Sequence, residues 1–358
     1  MSGLRFAIIG AGVIGRTHAH AIHELAPRAC LRLVVDEIPE RARNLAVAQS
    51  GAGNTGTGPD DAVEHGVSAS EAFAREDIDA VAICTPSGRH ADLAIAALDA
   101  GKHVIIEKPI DVTVKAARRV ADAQARGSRT ATVISQHRFD ASSQVVRRAV
   151  TEGRLGRLTS GVASIAWWRS QDYYDSGDWR GTWELDGGGA LMNQGIHTID
   201  LLVWMLGEPV EVFARTACLA HDRIEVEDTA VATLLFANGA LAVLHGTTAA
   251  HPGLTARLQV HGDRGSAVID GDRLVYLRTA DGGAEALPDL GSVATAGSDP
   301  SVLSQAHTDQ YRDFLDAVEL GRPPLVTVAD GIRTLAVVRA IYASARTGKP
   351  VSLADQTA

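Results

Sequence analysis

Short apolar runs alternate with helical stretches through the first 135 residues of the chain. The opening "LRFAIIGAGVIGRTHAHAIHEL" reads as a strand, a glycine-rich turn and a helix that runs on to Pro27. A second strand ends in "LRLVVDE", and "AVAIC", "HVIIE" and "TATVISQH" supply further runs. Runs this short and uniformly apolar suit a parallel sheet covered by helices on both faces. The expected fold here is α/β, a doubly wound parallel sheet of the Rossmann type. Between the second strand and those that follow, "GAGNTGTGPDD" is rich in glycine and polar residues and reads as a surface loop without chemistry of its own.

The pattern changes after "QHRFDASSQVVRRAVTEGRLGRL", a helix ending near Gly153. "VEVFARTACL", "TAVATLLF", "GALAVLHGTT", "TARLQVHG" and "RLVYL" then follow one another, broken at "NG", "HGDRG" and "DGD". Consecutive strands with such breaks predict an open, mainly antiparallel sheet. The switch of pattern places a domain boundary near 135–140. The expected division is a nucleotide-binding domain over 1–135 and an α+β domain over 136–358, whose C-terminal helix has room to pack back on the first. Length agrees, since 358 residues exceed what one core spans, roughly 250–300.

Ligands of an open parallel sheet bind beyond the carboxyl ends of its strands. The ends here are Gly10–Gly15, Asp36, Thr85-Pro86-Ser87, Glu107-Lys108-Pro109 and Gln136-His137-Arg138. In Gly10-x-Gly12-x-x-Gly15 the first glycine permits a tight turn, the second admits a pyrophosphate to the backbone, and the third lets the helix lie close on the strand. Asp36 can accept hydrogen bonds from both ribose hydroxyls and would repel a 2′-phosphate, so NAD is favoured over NADP.

In the second half, "GGGALMNQGIHTIDLLVWML" reads as a helix opened by Gly187-Gly188-Gly189. At helical spacing Asn193, His197, Asp200 and Trp204 share one stripe. The glycines, with Gly195 inside the helix, imply that something approaches closely, because an interior glycine costs about 1 kcal/mol. "WWRSQDYYDSGDWRGTWELD" holds four of the five tryptophans, among them Trp168, together with Arg169 and Arg180. Aromatics mixed with Asp, Gln and Arg suit a polyhydroxylated ligand, and any single one of them equally a loop packed on the helix or on a neighbouring subunit.

Composition narrows the partners. A formal net charge of -9 argues against nucleic acid or an anionic membrane surface. Cys30, Cys84 and Cys218 are odd in number and widely spaced, as expected of reduced thiols in the cytoplasm. No run is long enough for a membrane span, and the N-terminal apolar run reads as a strand rather than a signal peptide. No metal ligand set is expected.

The motifs "AIIGAGVIGRTHAHAI", "AICTPSGRHADLAIAALDAGKHVIIEKPI", "GGGALMNQGIHTIDLL" and "AIYASARTGKPVSL", in this order, resemble the Gfo/Idh/MocA oxidoreductases, the glucose-fructose oxidoreductase and inositol dehydrogenase group. The resemblance implies an NAD-dependent dehydrogenase acting on a secondary hydroxyl of a sugar, glycoside or inositol. It places Lys108 and His197 on either side of the nicotinamide, and either can serve as the base. Asn193 departs from the family's usual aspartate and cannot relay a proton. His137 stands where many relatives have asparagine. The nominated cofactor contacts are Gly10, Gly12, Val13, Ile14, Asp36, Thr85, Pro86, His90, Glu107, Lys108 and Gln136. The nominated substrate contacts are His137, Arg138, Trp168, Arg180, Asn193 and His197. A cis bond before Pro109 and a homodimer or homotetramer built through open sheet faces are also implied. Two rivals share the family: enzymes that retain NAD and cleave a glycoside through transient oxidation, and dinucleotide-sensing regulators, which have no use for a lysine–histidine pair.

Overall fold

A computed structural model describes residues 3–50, 62–282 and 304–357. The expected surface loop at 51–61 lies outside the described residues. Contacts divide the chain into two compact units, one of Met1–Asp111, Lys115–Ile134 and Leu303–Ile332, the other of Val112–Val114, Ser135–Val302 and Arg333–Ala358.

In the first unit, strands β1 (Leu4–Ile9), β2 (Ala29–Val35), β3 (Glu64–Gly66), β4 (Ala80–Ile83), β5 (His103–Ile106) and β6 (Ala131–Val133) form one sheet in the order β3-β2-β1-β4-β5-β6. Every pairing is parallel. Helices α1 (Val13–Glu24), α2 (Pro39–Ser50), α3 (Ala69–Ala74), α4 (His90–Asp99) and α5 (Val114–Arg126) are the crossovers. Both β4 and β5 are buried along their whole length, as strands covered on two faces must be. Strand order reverses between β1 and β4, so the carboxyl ends of these two strands open at a switch point, where dinucleotides bind in this fold.

The second unit carries α6 (Ala141–Thr151), β7 (Leu158–Ala166), α7 (Gln171–Asp175), α8 (Ile196–Leu206), β8 (Pro209–Ala217), β9 (Thr229–Phe236), β10 (Leu241–Thr247), β11 (Ala256–Gly262), β12 (Gly265–Asp270) and β13 (Arg273–Thr279). With β14 (Val351–Ser352) they build an eight-stranded sheet ordered β13-β12-β11-β7-β10-β9-β8-β14. It is antiparallel except where β7 lies parallel to β10. The sequence patterns miss β7 and β12. "LTSGVASIA" has few large residues because α8 packs directly on it: a Cβ at Gly161 would meet Leu206 at 2.8 Å and Leu202 at 3.0 Å. Strand β9 alternates buried Ala230, Ala232, Leu234 and Phe236 with outward residues, and β10 turns Leu241 and Val243 outward, 60% and 49% exposed.

Helix α9 (Ser304–Leu320) groups with the first unit, and α10 (Val328–Thr347) starts there before running into the second; α11 (Leu353–Thr357) ends the described chain. The units thus interleave instead of following one another as 1–135 and 136–358. The physical reason is the apolar face of α9. It lies on α1 and sends Tyr311, Phe314 and Leu315 into the core around Phe6, Ile8 and Ile22, with the Phe6 ring 5.7 Å from Tyr311 and 6.4 Å from Phe314. No helix among the described residues is long and apolar enough to cross a membrane.

Emptying that core from the far end of the chain should be costly. Phe314→Ala is expected to destabilise the first unit by about 3–5 kcal/mol, read as a lower urea midpoint; an unchanged midpoint would separate α9 from this core.

Candidate active site

Each unit holds its own set of candidate residues. In the first, Gly10 leaves β1 at a φ of +104° and its backbone passes so close to β4 that a Cβ would meet the Cys84 carbonyl oxygen at 2.5 Å. Gly15 lies against Gly10, where a Cβ would be 2.2 Å from the Gly10 oxygen. Nothing stands within 4 Å of a Cβ on Gly12. Gly12 caps α1 without any side-chain bond, so the first N–H groups and the positive end of the helix dipole remain available to an anion. Val13 is exposed on this turn, while Ile14 packs against the core. Asp36 ends β2 and accepts hydrogen bonds from the Ala11 and Ile38 N–H groups, both at 2.8 Å, which holds its carboxylate beside the glycine turn. At the end of β4, next to half-buried Pro86, the Thr85 hydroxyl is buried with no hydrogen-bond partner. An open anion cradle, a fixed carboxylate and an orphaned hydroxyl fit the pyrophosphate and ribose of a dinucleotide.

Two nominated cofactor residues turn inward instead. His90 bonds the carbonyl oxygens of Pro109 at 2.7 Å and Thr85 at 2.8 Å, tying together the segments that follow β4 and β5. Glu107 is buried: one oxygen accepts from His18 at 2.9 Å and lies 3.7 Å from His307, and the other accepts from the Lys108 N–H. A neutral His18 protonated at Nε2 satisfies both its neighbours, donating to Glu107 and accepting from Tyr311 at Nδ1. Burial alone would raise the Glu107 pKa, but His18 and His307 hold it well below the carboxylate range. Strand-end position therefore does not put either side chain toward a ligand. Lys108 follows, half-buried, and its bond to Pro109 is cis.

In the second unit the close approach at the triple glycine comes from the protein itself. A Cβ at Gly187 would meet Val112 at 2.6 Å, at Gly188 the Tyr342 hydroxyl at 2.1 Å, and at Gly189 the Glu227 carbonyl oxygen at 1.8 Å. The expected single helix begins as a π-helical turn, Ala190–Gly195, before α8. Buried Glu227 anchors this start, accepting from Gly189 N at 3.0 Å, Leu191 N at 2.9 Å and the Tyr342 hydroxyl at 2.9 Å. Burial pushes its carboxyl up to about 7, against the pull of those hydrogen bonds.

Of the predicted polar stripe, Asn193 and His197 are half-buried, but Asp200 is buried. Asn193 donates to Asp186 at 2.9 Å, and Asp186 also accepts from Gly181 N. Asp186 is a buried carboxylate that spacing did not single out; the only signal was its place before the three glycines. Asp200 accepts from Arg138 through Nε and Nη2, both at 2.7 Å, and from Thr334. Arg138 is 2% exposed, with its guanidinium 5.3 Å from the Trp204 ring. It is thus a structural cation, not a substrate contact.

Beside it, buried Gln136 leaves its Oε1 without a hydrogen-bond partner. His137 Nδ1 lies 2.7 Å from Asp140 and 3.4 Å from Asp272, and its ring stands edge-on to His197 with centroids 5.2 Å apart. Arg180 stacks on Tyr173 and Trp179 and donates to the Tyr173 hydroxyl. That hydroxyl accepts from Gln194, which in turn accepts from Arg169. Arg180 is therefore joined to the π-helical turn through its neighbours, whereas the Trp168 ring meets His251.

Two family models match the chain. One, described as an oxidoreductase family with an NAD-binding Rossmann fold, covers residues 4–135; the other, the GFO/IDH/MocA C-terminal domain, covers 143–268. Inositol 2-dehydrogenase of Rhizobium meliloti (strain 1021) is 30% identical over 360 residues, 98% of this chain and 99% of that protein. Myo-inositol 2-dehydrogenase of Thermotoga maritima is 26% identical over 369 residues, 98% of this chain and 99% of that protein. Among solved structures, the WlbA dehydrogenase of Bordetella pertussis in complex with NADH and UDP-GlcNAcA matches with a TM-score of 0.83 at 31% identity, covering 98% of each chain.

The raised carboxyl of Glu227 makes stability depend on pH. The folded state holds this proton more tightly than the unfolded chain, so the contribution is full below pH 4.5 and is lost as pH rises through about 7. Between about pH 5 and about pH 8 the wild type should lose on the order of 3 kcal/mol that Glu227→Gln does not lose, measured by urea unfolding at each pH. Parallel curves for the two proteins would refute this.

Proposed function

Because the chain belongs to the GFO/IDH/MocA oxidoreductase family and takes NAD as its cofactor, we propose that it oxidises a secondary hydroxyl of a sugar, glycoside or inositol. Held at the Gly10–Gly15 turn and Asp36, NAD+ would supply the hydride acceptor. The protein orients the carbon bearing the hydroxyl, accepts the hydroxyl proton and steadies negative charge on the oxygen as it becomes a carbonyl. His197 serves as the proton acceptor and Lys108 as hydrogen-bond donor to the reacting oxygen, with the two roles exchangeable if Lys108 is deprotonated. Asn193, its amide held by Asp186, orients a substrate hydroxyl, with Gln136 and the Arg180–Tyr173–Gln194 group at the periphery.

The observation that carries this reading is the Asp36 carboxylate fixed beside an uncapped glycine turn, which suits the unphosphorylated ribose of NAD. The relatives named for inositol oxidation, and the one bound to a nucleotide sugar, support a polyhydroxylated substrate. We further propose a homodimer or homotetramer assembled through the outward sheet face, where Phe213, Val231, Leu235, Leu241 and Val243 are exposed apolar residues.

NADH absorbance over a panel of inositols, aldoses, glycosides and nucleotide sugars tests the activity. Lys108→Ala and His197→Ala are each expected to lower kcat by about 10²-fold or more, and NAD+ should support turnover better than NADP+. Wild-type rates in both variants would remove the pair, and glycoside cleavage without net NADH would replace oxidation by the NAD-retaining reaction. In light scattering, Leu241→Lys combined with Val243→Lys should yield monomers; an unchanged mass would place the interface elsewhere.

A further inference from the structure

The second unit places two histidines in ring contact and treats them unequally. His137 is clasped by carboxylates: Asp140 from its own turn at 2.7 Å, and Asp272 from the turn between β12 and β13 at 3.4 Å. From α8 it faces His197, edge-on at 5.2 Å, and feels Asp200, whose charge is already matched by the bidentate Arg138. We propose that His137 is a fixed cation whose charge keeps its ring neighbour His197 neutral and ready to accept a proton. This rests on the reading of His197 as a proton acceptor.

Burial by itself would lower the His137 pKa, but Asp272, Asp140 and Asp200 outweigh it and raise it to about 9. His137 therefore carries its proton throughout the range in which an ordinary histidine titrates. A protonated His197 would set two imidazolium rings edge to edge, and like charges at that range disfavour the second protonation by about one pH unit or more. Asp272 has the backbone for its part: it sits at a φ of 65°, the left-handed region that aspartate and asparagine tolerate best after glycine. His137 thereby acts through His197 as a positioning residue, and one histidine is spared for the chemistry by fixing the charge of the other.

Histidine side-chain NMR titration of the full-length protein, beside pH profiles of kcat/KM, tests this. In the wild type, His137 should titrate well above the ordinary histidine range, and His197 lower than it does in His137→Asn. His137→Asn removes the cation and leaves the carboxylates, so the His197 titration should rise by about one unit or more, and the acidic limb of kcat/KM with it. His137→Arg restores charge without an imidazole and should keep that limb near its wild-type place, which a purely structural role would not do. Asp272→Asn, suited to the same backbone, should move the His137 titration down toward the ordinary value. An ordinary titration of His137 in the wild type, or a His197 titration unmoved in His137→Asn, would overturn the proposal. A His197 shift that the acidic limb does not follow would uphold the electrostatic coupling and overturn the reading of His197 as the base.

Discussion

The buried pair of Arg138 and Asp200 is the constraint on which the second unit's chemistry depends. Taking two charges out of water costs several kcal/mol per ion, and only near-ideal geometry offsets it. Here two 2.7 Å hydrogen bonds, a third from Thr334 and the face of Trp204 provide that geometry. The result is best understood as orientation, not net stability. The pair clamps the turn carrying Gln136 and His137 to α8, so the two histidines meet at a set distance and angle.

A buried carboxylate underlies the functional segment in each unit. Glu107 accepts the N–H of Lys108 and is held ionised by His18 and His307. Glu227 gathers the N–H groups that open the π-helical turn leading to Asn193 and His197. Both act on backbone, so each sets where a side chain starts. Their titrations differ in sign because Glu107 has basic partners, whereas Glu227 has only hydrogen-bond donors to set against desolvation.

Where a residue's local geometry follows from short-range spacing, the sequence alone was enough. Gly10, Gly12, Gly15 and Asp36 behave as their positions demand, because the turn, the helix start and the neighbouring strand end are all short-range geometry. Alternating strands and the change of pattern were legible for the same reason. Glu107 and Arg138 were not, since each sits where a ligand contact is expected and turns instead toward a partner distant in sequence, and His90 turns to the backbone of the neighbouring strand-end segments. Tyr311 lies 293 residues from His18, and Asp200 lies 62 from Arg138. The triple glycine shows the same limit: its spacing announced a close approach, but nothing local could say that Val112, Tyr342 and Glu227 would be what approaches. Asp186 was invisible because a lone aspartate before a glycine run resembles any turn.

The interleaving of the units bears on synthesis of the chain. A ribosome that has released β1 through β6 has made every strand of the first sheet but not α9, which supplies Tyr311, Phe314 and Leu315 to its core. Until those residues emerge, the nascent sheet presents an apolar flank around Phe6 and Ile22 to solvent or to a chaperone. The core of the first unit is therefore complete only once α9, near the far end of the chain, has been made.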